Sequence, residues 1–285
     1  MDAVDDDRLH PAAVREHPLH ARLSPAAPVI SFTDADLHAA IAALLWPFVR
    51  TLALVQTAPV FGHRAVPHRA KIGLALLISL LVAPAVPASP VDAFSGTGLL
   101  LLLQQIIVGA AMGFGLRAVF AAFELAGDLV GLQMGLGFAS FLDPQRGAPS
   151  PLLANFLMLS AMLAFLATDG HLTLLLTLGD SFRIIPVSPH PLDNLDWMRL
   201  ANLGTIVFAG GLQIALPVLA AVLSINIALG FVSRSAPQLN IFNLGFAVTL
   251  LAGLLLLWLT FGVLAGPMER IVGIAVPYFK TAVIR

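Results

Sequence analysis

The sequence predicts an all-α integral membrane protein, built from broken helices and helical hairpins, that completes its burial against partner subunits. Three observations carry this. Of 285 residues, 58% are hydrophobic and 11% charged, against about 25% charge in an average soluble domain, so this chain cannot build a water-covered surface. Its apolar residues gather into long runs separated by Pro- and Gly-rich stretches, and in lipid each such run must satisfy its own backbone, as a helix does. Several runs are too short, too polar or too broken to sit alone in lipid, where a span needs about 20 apolar residues.

Residues 1–31 stand apart. Asp2, Asp5, Asp6, Asp7 and Glu16 mix with Arg8, Arg15 and Arg22, and four prolines are spread among them. Such a stretch buries no core and is expected to be disordered; its acidic start is unlike a secretory signal. The helical domain is expected over 32–266. Thr33-Asp34-Ala35-Asp36 fits a capping box that opens a first helix over about Leu37–Val60. Arg50 lies deep inside that apolar run, where a charge has to face protein rather than lipid. The connector Phe61–Lys71 carries Arg64, Arg69, Lys71, His63 and His68 and is the best cytoplasmic candidate by its positive charge. The run Ile72–Ala83, stopped by Pro84, is too short for a lipid-exposed span.

Gly98–Phe123 is the next long helix, with Gly109-x-x-x-Gly113 as a packing motif. Arg117, Glu124 and Asp128 follow at spacings that place them near one helix face. They read as a buried charge cluster tying helices together, in preference to a proton relay. The stretch Glu124–Pro151 organises the rest. Gly127, Gly131 and Gly135 are four apart and would stack on one face, admitting another backbone. That helix is expected to end by Leu142 or Asp143, because the residue before Pro144 is pushed out of the α region. A helix broken there needs protein or a water-filled cavity around it, which points to a lined pathway or a subunit interface.

Beyond the loop, Leu152–Thr168 is a marginal span, Asp169-Gly170-His171 a turn and Leu172–Phe182 a shorter helix. Ala201–Val232 is a long apolar segment interrupted by Pro217, and Leu244–Ala265 is the cleanest span. The remainder, 267–285, is a mildly amphipathic tail. A six-span count leaves the charge bias too weak to settle topology.

Enzyme signatures are missing from the sequence. There is no HExxH and no GxSxG. The pairs Gly127-Asp128 and Gly179-Asp180 lack the earlier glycine of an intramembrane aspartyl protease. With no cysteine there is no thiolate chemistry, and neither a cofactor nor a metal is expected. No basic patch interleaved with aromatics suggests nucleic acid.

Seven segments in order resemble the FliR family of flagellar biosynthetic proteins, more closely than the related injectisome family SctT. They are Trp46–Leu76, Gln104–Arg117, Ala126–Pro144, Phe165–Leu172, Asp180–Val187, Leu216–Phe246 and the last span. The resemblance implies a non-enzymatic subunit of the type III secretion export gate, in the bacterial inner membrane at the flagellar basal body. It implies a helical hetero-oligomer with FliP and FliQ, association of FlhB, contact with membrane lipid and transient passage of unfolded flagellar proteins. It places a pore plug on Phe138, Ala139, Ser140, Phe141 and Leu142. Two phenylalanines on a glycine-flexed break can close a channel as a hydrophobic constriction. It also implies a subunit-contact loop at Arg234, Pro237, Gln238 and Asn240, within Ser233–Asn240. A stand-alone secondary transporter using Arg117, Glu124 and Asp128 as a coupling site is the alternative; that class carries internal repeats, and none is visible here.

Overall fold

The computed structural model describes residues 34–87, 91, 95–138, 151–188, 197–235, 245–259 and 262; the tail 1–33 and residues 263–285 lie outside them. Within the described residues the chain is helical and contains no strand. Helix α1 spans Asp34–Thr57, α2 His68–Val82, α3 Gly96–Gln133, α4 Leu152–Ala167, α5 Gly170–Ile184, α6 Trp197–Ala201, α7 Leu203–Ser235 and α8 Gly245–Leu259.

α3 is the spine, and α1, α4 and α7 all pack on it. Ser95 opens it: its Oγ accepts from the Gly98 N–H at 3.0 Å, satisfying one of the free donors of the first turn. α1 presents a buried stripe of Trp46, Arg50, Thr51, Leu54, Val55 and Ala58, the i, i+4, i+8 pattern of one helix face. The crossing with α3 is made at Gly109 and Gly113. A Cβ on Gly109 would meet the Arg50 carbonyl, and one on Gly113 would meet the Thr57 side chain. Glycine is what brings the two helices within backbone distance, the small-residue packing of helices in lipid.

Two elements differ from the sequence expectation. The run predicted to start at Ile72 begins at His68 and continues through a 3-10 turn at Ala83–Ala85, giving an 18-residue apolar segment His68–Ala85 long enough to cross a membrane. Basic residues at the helix start do not stop a helix; they only lower its mean hydropathy. Second, the two helices expected around Phe123 are one. α3 runs 38 residues to Gln133, because Glu124 and Asp128 on an outward face interrupt neither the backbone ladder nor the buried stripe. α7 likewise continues through Pro217 for 33 residues.

α4 and α5 form a pair bent by 70°. Asp169 sits at the bend in the left-handed region, φ 56°, and the Phe165 ring below it meets Phe120 of α3 edge-on at 5.7 Å. Three segments of the described chain are long and apolar enough to span a membrane, and the bent pair is a possible fourth. This is an all-α integral membrane protein.

Candidate functional site

The site expected at the end of α3 is built by a helix that stops early. Met134 N–H still donates to Val130 O at 2.9 Å, but Gly135 N–H donates to Leu132 O at 3.0 Å as the turn tightens. Gly135 then takes φ +78°, the left-handed ending that glycine adopts without a Cβ penalty, and a 3-10 turn follows at Leu136–Phe138. The helix therefore ends at Gln133, within the limit that Pro144 sets at Leu142 or Asp143 and nine residues short of it. Gly135 lies beyond it and does not form the third rung of the glycine face. Gly127 does the close packing: a Cβ there would meet the backbone of Leu153 and Ala154 at the start of α4. Gly131 is looser, with the Leu153 side chain 3.8 Å from the position its Cβ would take.

Below this crossing lies a cleft of about 400 Å3, lined by Gly127, Asp128, Gly131 and Leu132 of α3, Leu136 and Gly137 of the turn, and Pro151–Leu153. Phe138 closes the 3-10 turn; Ala139, Ser140, Phe141 and Leu142 lie outside the described residues. So do Pro237, Gln238 and Asn240 of the contact loop, whereas Arg234 is exposed in the last turn of α7.

The charge cluster departs from expectation. Arg117, Glu124 and Asp128 share a face of α3, but that face is exposed. The buried side of α3 is taken by residues such as Met112, Val119, Phe123, Ala126 and Val130, which pack under α1, α4 and α7. The spacing that groups the three charges also turns them away from this core. They form a polar stripe on the surface, between the exposed Phe114 and Leu132, and no buried cluster among the described residues.

The interior polar site is centred instead on Arg50, which is fully buried. Its Nε donates to Gln105 Oε1 at 2.8 Å, Nη1 to Ser181 Oγ at 3.0 Å and Nη2 to the Ile185 carbonyl at 2.8 Å. The guanidinium lies 3.9 Å from the centre of the Phe182 ring, a cation–π stack. Ser181 can accept because its own proton goes to Leu178 O at 2.7 Å. All three acceptors are neutral, so among the described residues hydrogen bonding and stacking, not an ion pair, offset the cost of the buried charge. The Ile185 carbonyl ends α5, where a cation also suits the helix dipole. Arg50 thus fastens the far arm of the bent pair to α1 and α3. A second buried cation, Lys71, donates to the Gly62 carbonyl at 2.9 Å.

That Arg50 faces protein follows from the sequence; its partners do not, because they lie 55, 131 and 135 residues away. One signal was present. Arg50, Gln105 and Ser181–Ile185 each fall inside a segment that carries the family resemblance. Among the described residues, no three His, Asp or Glu side chains converge as a metal site.

Residues 41–274 match the family described as bacterial export proteins, family 1. The chain is 46% identical over 231 residues to the flagellar biosynthetic protein FliR of Pectobacterium carotovorum subsp. carotovorum, covering 81% of this chain and 88% of that one. It belongs to the FliR family. The FliR of Escherichia coli (strain K12) is 44% identical over 212 residues, 74% of this chain and 81% of its own. The FliR of Bacillus subtilis (strain 168) is 32% identical over 218 residues, 75% and 84% of the two chains. As a FliR family member the chain is a membrane component of the flagellar export apparatus. The family match covers the Arg50 site, the α3 ending and the cleft alike.

Proposed function

We propose that this FliR family member is a non-enzymatic subunit of the flagellar type III export gate in the inner membrane. It forms part of the channel for unfolded flagellar proteins, together with FliP and FliQ and in association with FlhB. The observation that carries this reading is the surface of α7. From Leu223 to Ser235 no residue of that helix is buried, and Leu223, Ile227 and Phe231 form an exposed apolar stripe. At 33 residues and 1.5 Å per residue the helix is about 50 Å long, more than the roughly 30 Å of hydrocarbon in a bilayer. Lipid cannot cover such a helix along its whole length unless it is strongly tilted, whereas neighbouring helical subunits can. In this reading the end of α3 at Gln133 and the left-handed Gly135 after it let the chain leave the helix toward the passage, and Phe138–Leu142 plug it.

The test is co-expression of a tagged chain with FliP and FliQ, followed by native mass spectrometry in mild detergent. One discrete assembly holding a single copy of this chain is expected. Recovery of the chain alone, folded and monodisperse, would count against the gate. In the assembled complex, deleting Phe138–Leu142 is expected to let small ions leak across a planar bilayer. Unchanged conductance in an intact complex removes the plug.

A further inference from the structure

The turn between α1 and α2 is firmly built. Gly62 N–H donates to Ala58 O at 2.7 Å and Val66 N–H to His63 O at 3.1 Å. Ala65 N–H donates to His63 Nδ1 at 3.2 Å. The buried Lys71 ties the turn to the first turn of α2 through the Gly62 carbonyl. Lys71 is therefore committed inward, while His63, Arg64, His68 and Arg69 are exposed.

This hairpin carries no counter-charge of its own, since no Asp or Glu occurs between Asp36 and Asp92. The first turn of α2 holds no acidic residue and has no side-chain cap. Cations gathered at the positive end of a helix dipole are disfavoured until an anion joins them. One turn further on, the surface becomes hydrocarbon. Ile72, Leu76, Leu77, Leu80 and Leu81 are exposed, Leu81 by 79%, while Ala75, Ile78 and Ser79 face inward. The segment His68–Ala85 is long and apolar enough to cross a membrane.

We propose that the α1–α2 hairpin is a binding surface for anionic phospholipids, with Arg64 and Arg69 on the headgroup phosphates and the outer flank of α2 against the acyl chains. Charge at one end of a helix and bare leucine along its flank reproduce the order in which a bilayer presents headgroup and tail. Basic clusters at the end of a membrane helix bind acidic lipid by this electrostatic attraction. An acidic protein segment would answer the arginines but leave the leucine flank uncovered.

The experiment uses the full-length chain in neutral detergent, titrated with dioleoylphosphatidylglycerol or with dioleoylphosphatidylcholine, and counts bound lipids by native mass spectrometry. Phosphatidylglycerol is expected to be retained in excess over phosphatidylcholine. R64Q/R69Q should cut that excess, by about fivefold per arginine, while R64K/R69K keeps most of it. Raising salt to about 0.5 M should weaken the wild-type preference by screening, whatever the variants do. Equal retention of the two lipids overturns the proposal, as does a phosphatidylglycerol preference that survives R64Q/R69Q or high salt. A photo-cross-linking residue in place of Arg69 supplies the cellular arm. Lipid adducts support the proposal, and a discrete protein adduct means that a protein partner occupies this surface.

Discussion

Arg50 sets the residue scale, because one side chain joins three helices. Removing it as Arg50→Ala leaves the Ile185 carbonyl and the Gln105 amide oxygen buried without a donor, at roughly 1–3 kcal/mol each, and empties the space over Phe182. The expected loss is on the order of 3 kcal/mol or more, read as a lower thermal midpoint of the detergent-solubilised chain. Arg50→Lys should recover only part of it, since an ammonium lacks the planar fork that serves three acceptors and stacks on a ring. An unchanged midpoint in Arg50→Ala would show that the α5 arm is held by its apolar contacts alone. The sequence revealed the cost of this arginine but not its partners. In the sequence Gln105 is one of two adjacent glutamines in an apolar run, and Ser181 one of several hydroxyl residues in a short helix. Both gain meaning only from contacts remote in sequence.

At the scale of elements, glycines divide by what stands opposite them. Gly127→Val puts a side chain into the backbone of α4 at Leu153 and Ala154 and is expected to cost about 1–3 kcal/mol through forced separation of α3 and α4. Gly131→Ala meets only ordinary contact with Leu153 and should be neutral, or stabilising by up to about 1 kcal/mol from helix propensity. Equal effects of the two on the thermal midpoint would refute a packing role confined to Gly127. Their four-residue spacing was legible in the sequence; which glycine receives a backbone was not, because that depends on where α4 arrives. The end of α3 was bounded but not located, for a related reason. Pro144 supplied a visible stop, while Gly135 supplied an earlier one that reads equally well as another rung of the glycine face. The three charges on α3 were correctly grouped but assigned to the wrong side. In a membrane protein both faces of a helix can be apolar, so the buried side cannot be told from hydropathy.

At the scale of the whole molecule, α3 collects α1, α4 and α7, and the chain is wired across long separations. All-helical architecture and membrane residence were evident from composition and run length; the common spine was not, since no periodicity in α3 says which helices share it. Arg50 shows what such wiring asks of a chain while it is being made. Its acceptors follow it by 55, 131 and 135 residues. At about 5–20 residues per second of synthesis, Ser181 arrives roughly 7–26 s after Arg50. During that interval an arginine in an apolar segment has at most Gln105 to receive it, and lipid offers it nothing. The first helix is therefore expected to wait, at the insertion machinery or the bilayer surface, until α5 emerges and draws it in. Chains truncated before Ser181 should leave α1 open to protease in membrane vesicles, and chains extended past Val187 should protect it. Protection of both would mean that α1 settles without its later partners. Protection of the longer chain alone would mean that assembly of this protein is ordered by the moment at which its C-terminal half is translated.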